Sequence, residues 1–219
     1  MKDTCQPSRV FHELVKPSDG PVSRYINRRV SLTITCFLVN RGITPSPNKL
    51  TVLSTIFGFI TAIVVYYNPL IGGILVEVAS ILDGIDGEIA RLTKKSSRFG
   101  AFLDSVLDRF VDIAVLTAGS PYLLSILAPD KALLIASWLI SSSLMVSFLH
   151  ARGEASLGTN LRQIGASPYA TRDVRLFLYS IALILYDFNP CMYLILVVII
   201  AVLSTAYVIH RILVAYRGA

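Results

Sequence analysis

The chain alternates six apolar stretches with short polar, basic interruptions. The stretches are 50–68, 70–82, 110–128, 132–149, 174–186 and 190–209. A helix that crosses a bilayer needs about 20 apolar residues, and several of these are shorter. The second reaches that length only if its helix continues to about Arg91, and the third only if it starts near residue 99. The pattern predicts an all-α integral membrane protein, a bundle of six transmembrane helices. Before it, Tyr25, Ile26, Val30, Ile34, Phe37 and Leu38 recur at roughly helical spacing among Arg24, Arg28, Arg29 and Arg41. Residues 21–43 therefore read as an amphipathic interfacial helix opened by Pro21, with a solvated basic arm as the other reading. Thr44-Pro45-Ser46-Pro47-Asn48 then breaks the chain.

Composition agrees with a membrane protein: 54% of residues are hydrophobic, 16% are charged, and the mean hydropathy is +0.65. Of the twenty Lys and Arg residues, Lys131 alone falls on one side of the predicted bundle. This positive-inside asymmetry places both termini, the 92–98 loop and the polar loop His150–Thr171 in the cytoplasm. The net charge of +6 then reflects topology and phosphate handling rather than nucleic-acid binding. Residues 1–20 are polar and lack the apolar core of a signal peptide. One membrane domain, 21–219, behind that segment is the simplest division. Cys5, Cys36 and Cys191 form no CxxC pair and receive no redox or zinc role.

Against this background four carboxylates stand out. Asp83 and Asp86 lie three apart, and Asp104 and Asp108 four apart, so on helices each pair shares a face. Unpaired carboxylates in a bilayer cost several kcal/mol or more, and four converging would repel one another without cations between them. A divalent metal site at two helix ends is the economical explanation. The all-oxygen set suits Mg²⁺ or Mn²⁺ rather than zinc. A structural ion-pair network with Arg91, Arg98 and Arg109 is the competing account. Gly84, Gly87 and Ala90 leave room for a nucleotide to approach the helix backbone, or for close helix packing.

The run Asp83-x2-Asp86-Gly87-x2-Ala90-Arg91, eight residues, then Gly100-x3-Asp104-x3-Asp108 resembles the signature of the CDP-alcohol phosphotransferases at every fixed position. These membrane enzymes move a substituted phosphate from a CDP-alcohol to an acceptor hydroxyl and release CMP. The resemblance implies metal ligation by all four aspartates, two ions, and a general-base role for Asp108. It further implies nucleotide contacts from Gly87, Ala90, Arg91, Gly100, Asn48 and Thr51, and a homodimer. The Thr-Pro-Asn that often opens the first membrane helix is altered here, with Ser46 and Pro47 before Asn48.

The His150–Thr171 loop ends at Arg172 and Arg175, three apart at a helix start. Arginine forks suit phosphate. In related enzymes that take a phosphorylated polyol, later helices supply such groups; Arg152, Arg172, Arg175 and Arg211 are the candidates, with topology-setting charge as the alternative. Asp112, one turn beyond Asp108, is read as orienting Arg109, supporting the site, or forming a plain ion pair. Glu77 is read as a contact inside the bundle or between subunits.

Residues 16–29 and 170–177 are similar to archaeal di-myo-inositol-phosphate-phosphate synthases, which join CDP-inositol to inositol 1-phosphate. Many of those carry a preceding cytidylyltransferase domain, so this chain is expected to draw its CDP-inositol from another protein. Two alternatives are a phospholipid synthase with a CDP-lipid donor and a polar acceptor, such as inositol phosphate or glycerol phosphate, and a cation transporter using the acidic cluster. Gathering of the carboxylates at one interface argues against transport.

Overall fold

Prolines set most of the helix starts. Pro7, Pro47, Pro69, Pro121, Pro129 and Pro190 each stand in a first turn, where a missing N–H costs nothing. Side chains cap two starts: Asn68 accepts from Ile71 N–H ahead of Pro69, and Ser97 from Gly100 N–H at a further start, each at 2.9 Å. A computed structural model describes residues 5–15, 19–158, 161 and 169–218, and among these there is no strand. The order is α1 (Pro7–Leu14), a π-helical turn (Ser23–Asn27), α2 (Arg28–Asn40), α3 (Pro47–Tyr67), α4 (Pro69–Leu92) and α5 (Arg98–Ala118). Then come α6 (Pro121–Leu124), α7 (Pro129–Leu157), α8 (Arg172–Tyr186) and α9 (Pro190–Gly218).

Among the described residues, three helices are long and apolar enough to cross a membrane, at Pro47–Tyr67, Pro129–Leu157 and Pro190–Arg217. As expected, α4 carries the acidic run to its end and α5 begins ahead of Asp104. Two expectations are corrected. The apolar stretch 110–128 is not one helix, because Gly119 and Pro121 end α5 and only the single turn of α6 follows. His150 and Arg152 belong to α7, which runs to Leu157, so the connection is shorter than expected. Much of it (159–160 and 162–168) lies outside the described residues, as do Lys16, Pro17 and Ser18.

The core joins α3, α4, α5, α7, α8 and α9 through buried Val65, Val76, Leu116, Leu139, Leu183 and Val197. At the end of α5 away from its aspartates, Tyr193 donates to Gly119 O at 2.7 Å and Tyr122 to Val65 O at 2.5 Å.

The helix over 21–40 packs with its polar face inward. Asn27, Ser31 and Thr35 are buried, whereas Tyr25, Val30 and Phe37 are exposed. The cause is Glu88 of α4, fully buried, which accepts from Arg28 Nη1 (2.9 Å), Ser31 Oγ (2.5 Å) and Thr35 Oγ1 (2.7 Å). Arg28 Nε also reaches Asp19 at 3.2 Å. Burial pushes the Arg28 guanidinium down, but the two carboxylates outweigh burial and leave it above its ordinary value. Breaking a buried pair by removing one partner costs about 3–5 kcal/mol. Glu88→Ala is therefore expected to destabilise the protein by roughly that amount, measured as unfolding in mixed micelles, with Glu88→Gln losing less.

One cysteine expectation is overturned. Cys5 and Cys36 form a disulfide that straps the start of α1 to α2. Asn40 of α2 also exchanges two hydrogen bonds with the Cys5 backbone, at 2.7 and 2.9 Å. Cys191 is free and exposed.

Candidate active site

The facing ends of α4 and α5 bring the acidic residues together. One carboxylate oxygen each from Asp83, Asp104 and Asp108 lies within 4.8 Å of the others. Asp86 stands outside that triad. It is buried, and it accepts hydrogen bonds from the Thr51 hydroxyl of α3 and the Gly87 N–H. Three convergent carboxylates with no sulfur or imidazole fit a hard divalent cation such as Mg²⁺ or Mn²⁺.

Arg172, at the first turn of α8, reaches into this cluster. Its Nη1 lies 2.8 Å from Asp83, its Nη2 3.2 Å from Asp108 and its Nε 2.9 Å from Asp112. Arg109 also bridges Asp108 (3.4 Å) and Asp112 (3.5 Å). Asp112 thus holds both arginines. Of the readings left open for it, support of the site and ion pairing are the same contact. Arg172 engages one oxygen of Asp83 and one of Asp108, and Arg109 engages the other oxygen of Asp108.

Two cavities meet at the cluster, sharing Ala101 and Asp104. The first, about 260 Å³, is lined by Asn48, Thr51, Asp86, Gly87, Ala90, Arg91 and Gly100 among others. It gathers every residue expected at the nucleotide. Gly100 has a local reason: a Cβ there would stand 2.9 Å from Asn48 Oδ1. Arg91 presents Nε and Nη2 that are buried and without a hydrogen-bond partner, so two donors stand ready for an anion.

The second cavity, about 320 Å³, runs between α2, α4, α5, α7 and the head of α8. Asp83, Asp104 and Asp108 form one wall; Arg28, Arg109, Arg172 and Arg175 also line it. Arg175 is buried and donates to Ala170 O at 2.6 Å. Arg152 and Arg211, grouped with these by sequence, line neither cavity among the described residues. Arg152 is exposed on α7. Arg211 is fully buried, with its guanidinium 4.8 Å from the Tyr207 ring. Tyr207 in turn bonds His150 at 3.0 Å. Glu77 has both carboxylate oxygens buried without a hydrogen-bond partner.

Sequence reasoning missed the contribution of the α2 side, namely Asp19, Ser23, Asn27 and Arg28. Its signal was present in the polar residues Asn27, Ser31 and Thr35, spaced by four. An exposed apolar face drew the attention instead.

Known proteins share these features. The CDP-alcohol phosphatidyltransferase family model matches residues 45–214. An Aquifex aeolicus bifunctional IPC transferase and DIPP synthase is 50% identical over 100 residues, covering 46% of this chain and 23% of that protein. Its Archaeoglobus fulgidus namesake is 36% identical over 167 residues, 74% of this chain and 32% of that protein. The chain therefore spans about a quarter to a third of these relatives. An archaetidylinositol phosphate synthase of Pyrococcus horikoshii is 32% identical over 145 residues, 66% of this chain and 72% of that protein. The fold matches Mycobacterium tuberculosis phosphatidylinositol phosphate synthase, whose crystal structure has CDP-DAG bound. The TM-score is 0.71 and the identity 24%, over 86% of this chain and 94% of that one. That synthase has also been solved with manganese and citrate. By its acidic run, its fold and its family match together, the chain belongs to the CDP-alcohol phosphatidyltransferase family.

Proposed function

We propose that the chain transfers an alcohol-linked phosphate from a CDP-alcohol to a hydroxyl of a phosphorylated polyol. CDP-inositol and inositol 1-phosphate are the favoured pair, giving di-myo-inositol phosphate phosphate and CMP. The observation that carries this reading is the junction of two cavities at one carboxylate cluster. One has small residues and Arg91 for a nucleotide, and the other has arginines for a second phosphate. Relatives named as DIPP synthases support the inositol assignment.

In this reading the acceptor hydroxyl oxygen bonds to the β-phosphorus, the bond from that phosphorus to the CMP oxygen breaks, and CMP leaves. Asp108 takes the hydroxyl proton. Asp83, Asp86, Asp104 and Asp108 would hold two Mg²⁺ or Mn²⁺ ions, which when bound neutralise phosphate oxygens. Arg91 and the small face of α4 seat the nucleotide, while Arg172 and Arg175 meet the acceptor phosphate. Helices α4, α5 and α8 complete six membrane spans, α2 lies at the interface, the active site faces the cytoplasm, and two chains pair as a homodimer.

A phospholipid synthase is the second reading, favoured by one feature. An apolar groove of about 630 Å³, lined by Phe102, Val106, Phe110, Ile113, Leu144 and Phe148, shares Ser105, Arg109, Ser147 and His150 with the acceptor cavity. Hydrocarbon chains of a CDP-lipid would suit such a groove. Offering CDP-inositol and a CDP-dialkylglycerol together with inositol 1-phosphate, and identifying products by mass, separates the readings. A soluble phosphodiester supports the first, and a lipid product replaces it with the second.

Arg172→Ala is expected to raise the acceptor KM about ten- to hundredfold, the worth of a charge-assisted phosphate contact, and to raise the donor KM less. Steady-state kinetics with each substrate varied in turn checks this. A larger rise for the donor would reassign Arg172 to the nucleotide.

A further inference from the structure

Two neutral residues that line the acceptor cavity each hold a buried polar atom with no hydrogen-bond partner among the described residues: Asn27 Oδ1 and Thr171 Oγ1. Asn27 is 5% exposed and Thr171 6%. Leaving such groups unsatisfied is costly, so their persistence suggests a ligand that completes them. Each is also set apart by its backbone. Asn27 ends the π-helical turn, a distortion that recurs at functional sites. Its amide nitrogen is occupied by Ser80 Oγ at 3.0 Å, which leaves the oxygen free for another donor. Thr171 is the N-cap residue of α8, yet its hydroxyl does not cap that helix, as threonines there ordinarily do. The α8 head and the π-turn are joined by Asp173, which accepts from Ser23 N–H at 2.7 Å. A Cβ on Gly20 would overlap both Thr171 Oγ1 and Asp173 Oδ1. Both residues thus line the same cavity, on elements that this contact joins.

We infer that Asn27 and Thr171 form a hydroxyl-reading subsite that selects a polyol ring on the acceptor. The inference rests on the proposed reading that this cavity takes a phosphorylated polyol. The arginines answer the phosphate, and what remains unmatched is neutral: an amide oxygen that accepts and a hydroxyl that donates or accepts. Hydroxyls, which do both, complement this pair; a carboxylate would find no donor in the Asn27 oxygen. A site built to bond a substrate hydroxyl discriminates strongly against analogues that lack it. Asn27 and Thr171 thus set which acceptor is used, and the arginines set that it carries a phosphate.

The test uses the full chain in nanodiscs with Mg²⁺, comparing wild type, Asn27→Ala, Asn27→Asp and Thr171→Val. Inositol 1-phosphate, glycerol 3-phosphate and inorganic phosphate are titrated calorimetrically, and KM is measured for donor and acceptor. Wild type is expected to bind inositol 1-phosphate at least tenfold more tightly than inorganic phosphate. Asn27→Ala and Thr171→Val should each raise the KM for inositol 1-phosphate about tenfold, with the KM for glycerol 3-phosphate and for the donor changing less than twofold. Equal losses for both acceptors would overturn the inference, and so would a rise in donor KM, which would assign the hydroxyls read to the donor alcohol. If Asn27→Ala does not fold, Thr171→Val and Asn27→Asp decide on the same selectivity ratio. Absence of CMP release from every CDP-alcohol would sink the phosphotransfer reading instead. The titrations would still decide the subsite, since inositol 1-phosphate binding no better than inorganic phosphate overturns it.

Discussion

Asp108→Asn is expected to lower kcat by about 10²–10⁴-fold, the span typical of a lost general base, while keeping much of the metal and nucleotide affinity. The amide retains one oxygen at the position where Asp108 joins the cluster within 4.8 Å of Asp83 and Asp104. That same single oxygen is the acceptor left for Arg172 Nη2, now at 3.2 Å. What it loses is the capacity to take a proton. Asp83→Asn should behave differently. Asp83 is the α4 member of the triad and contacts Arg172 at 2.8 Å, so its loss weakens ligand field and arginine placement together. Calorimetric binding of Mn²⁺ and of CDP to both variants makes the comparison. Equal loss of nucleotide binding would remove the case for separate roles.

Stripping divalent metal with excess EDTA is expected to abolish turnover, and Mg²⁺ or Mn²⁺ is expected to restore it. The three convergent carboxylates offer only hard oxygen donors, so thiophilic substitutes should rescue poorly. The measurement is CMP release after metal removal and stepwise addition. Undiminished turnover in the stripped protein would refute metal dependence. Arg172 and Arg109 already divide their contacts among Asp83, Asp108 and Asp112, and Asp104 forms the shared wall of both cavities.

The acidic run was legible because its chemistry is local: spacings of three and four residues on two consecutive helices place carboxylates on facing sides with little help from the rest of the fold. The nucleotide cavity was legible for the same reason, with Asn48 and Thr51 coming from the adjoining helix. The position of Arg172 was only half legible. Its charge and helix start pointed to phosphate, but its reach to Asp112, 60 residues earlier, depends on how α8 docks beside α5. Arg211 reads by its charge as a phosphate ligand or a topology charge, whereas the structure stacks it on Tyr207, four residues earlier on the same helix. The break after α5 was written in Gly119 and Pro121, yet continuous hydrophobicity through residue 128 masked it. The Cys5–Cys36 bond spans 31 residues without a motif, so pairing had no sequence signal.

The seam between α2 and α4 has a consequence for behaviour on heating. Apolar contacts gain little further strength per unit area at high temperature, whereas the penalty for stripping water from charged groups falls as temperature rises. The α2–α4 seam is made of Asp19, Arg28 and Glu88 with two hydroxyls. It therefore belongs to the class of contact whose net worth grows as the solution warms. The wall of the acceptor cavity that carries Asn27 is fastened by that seam, so it should loosen later in a thermal ramp than its modest apolar contact would suggest.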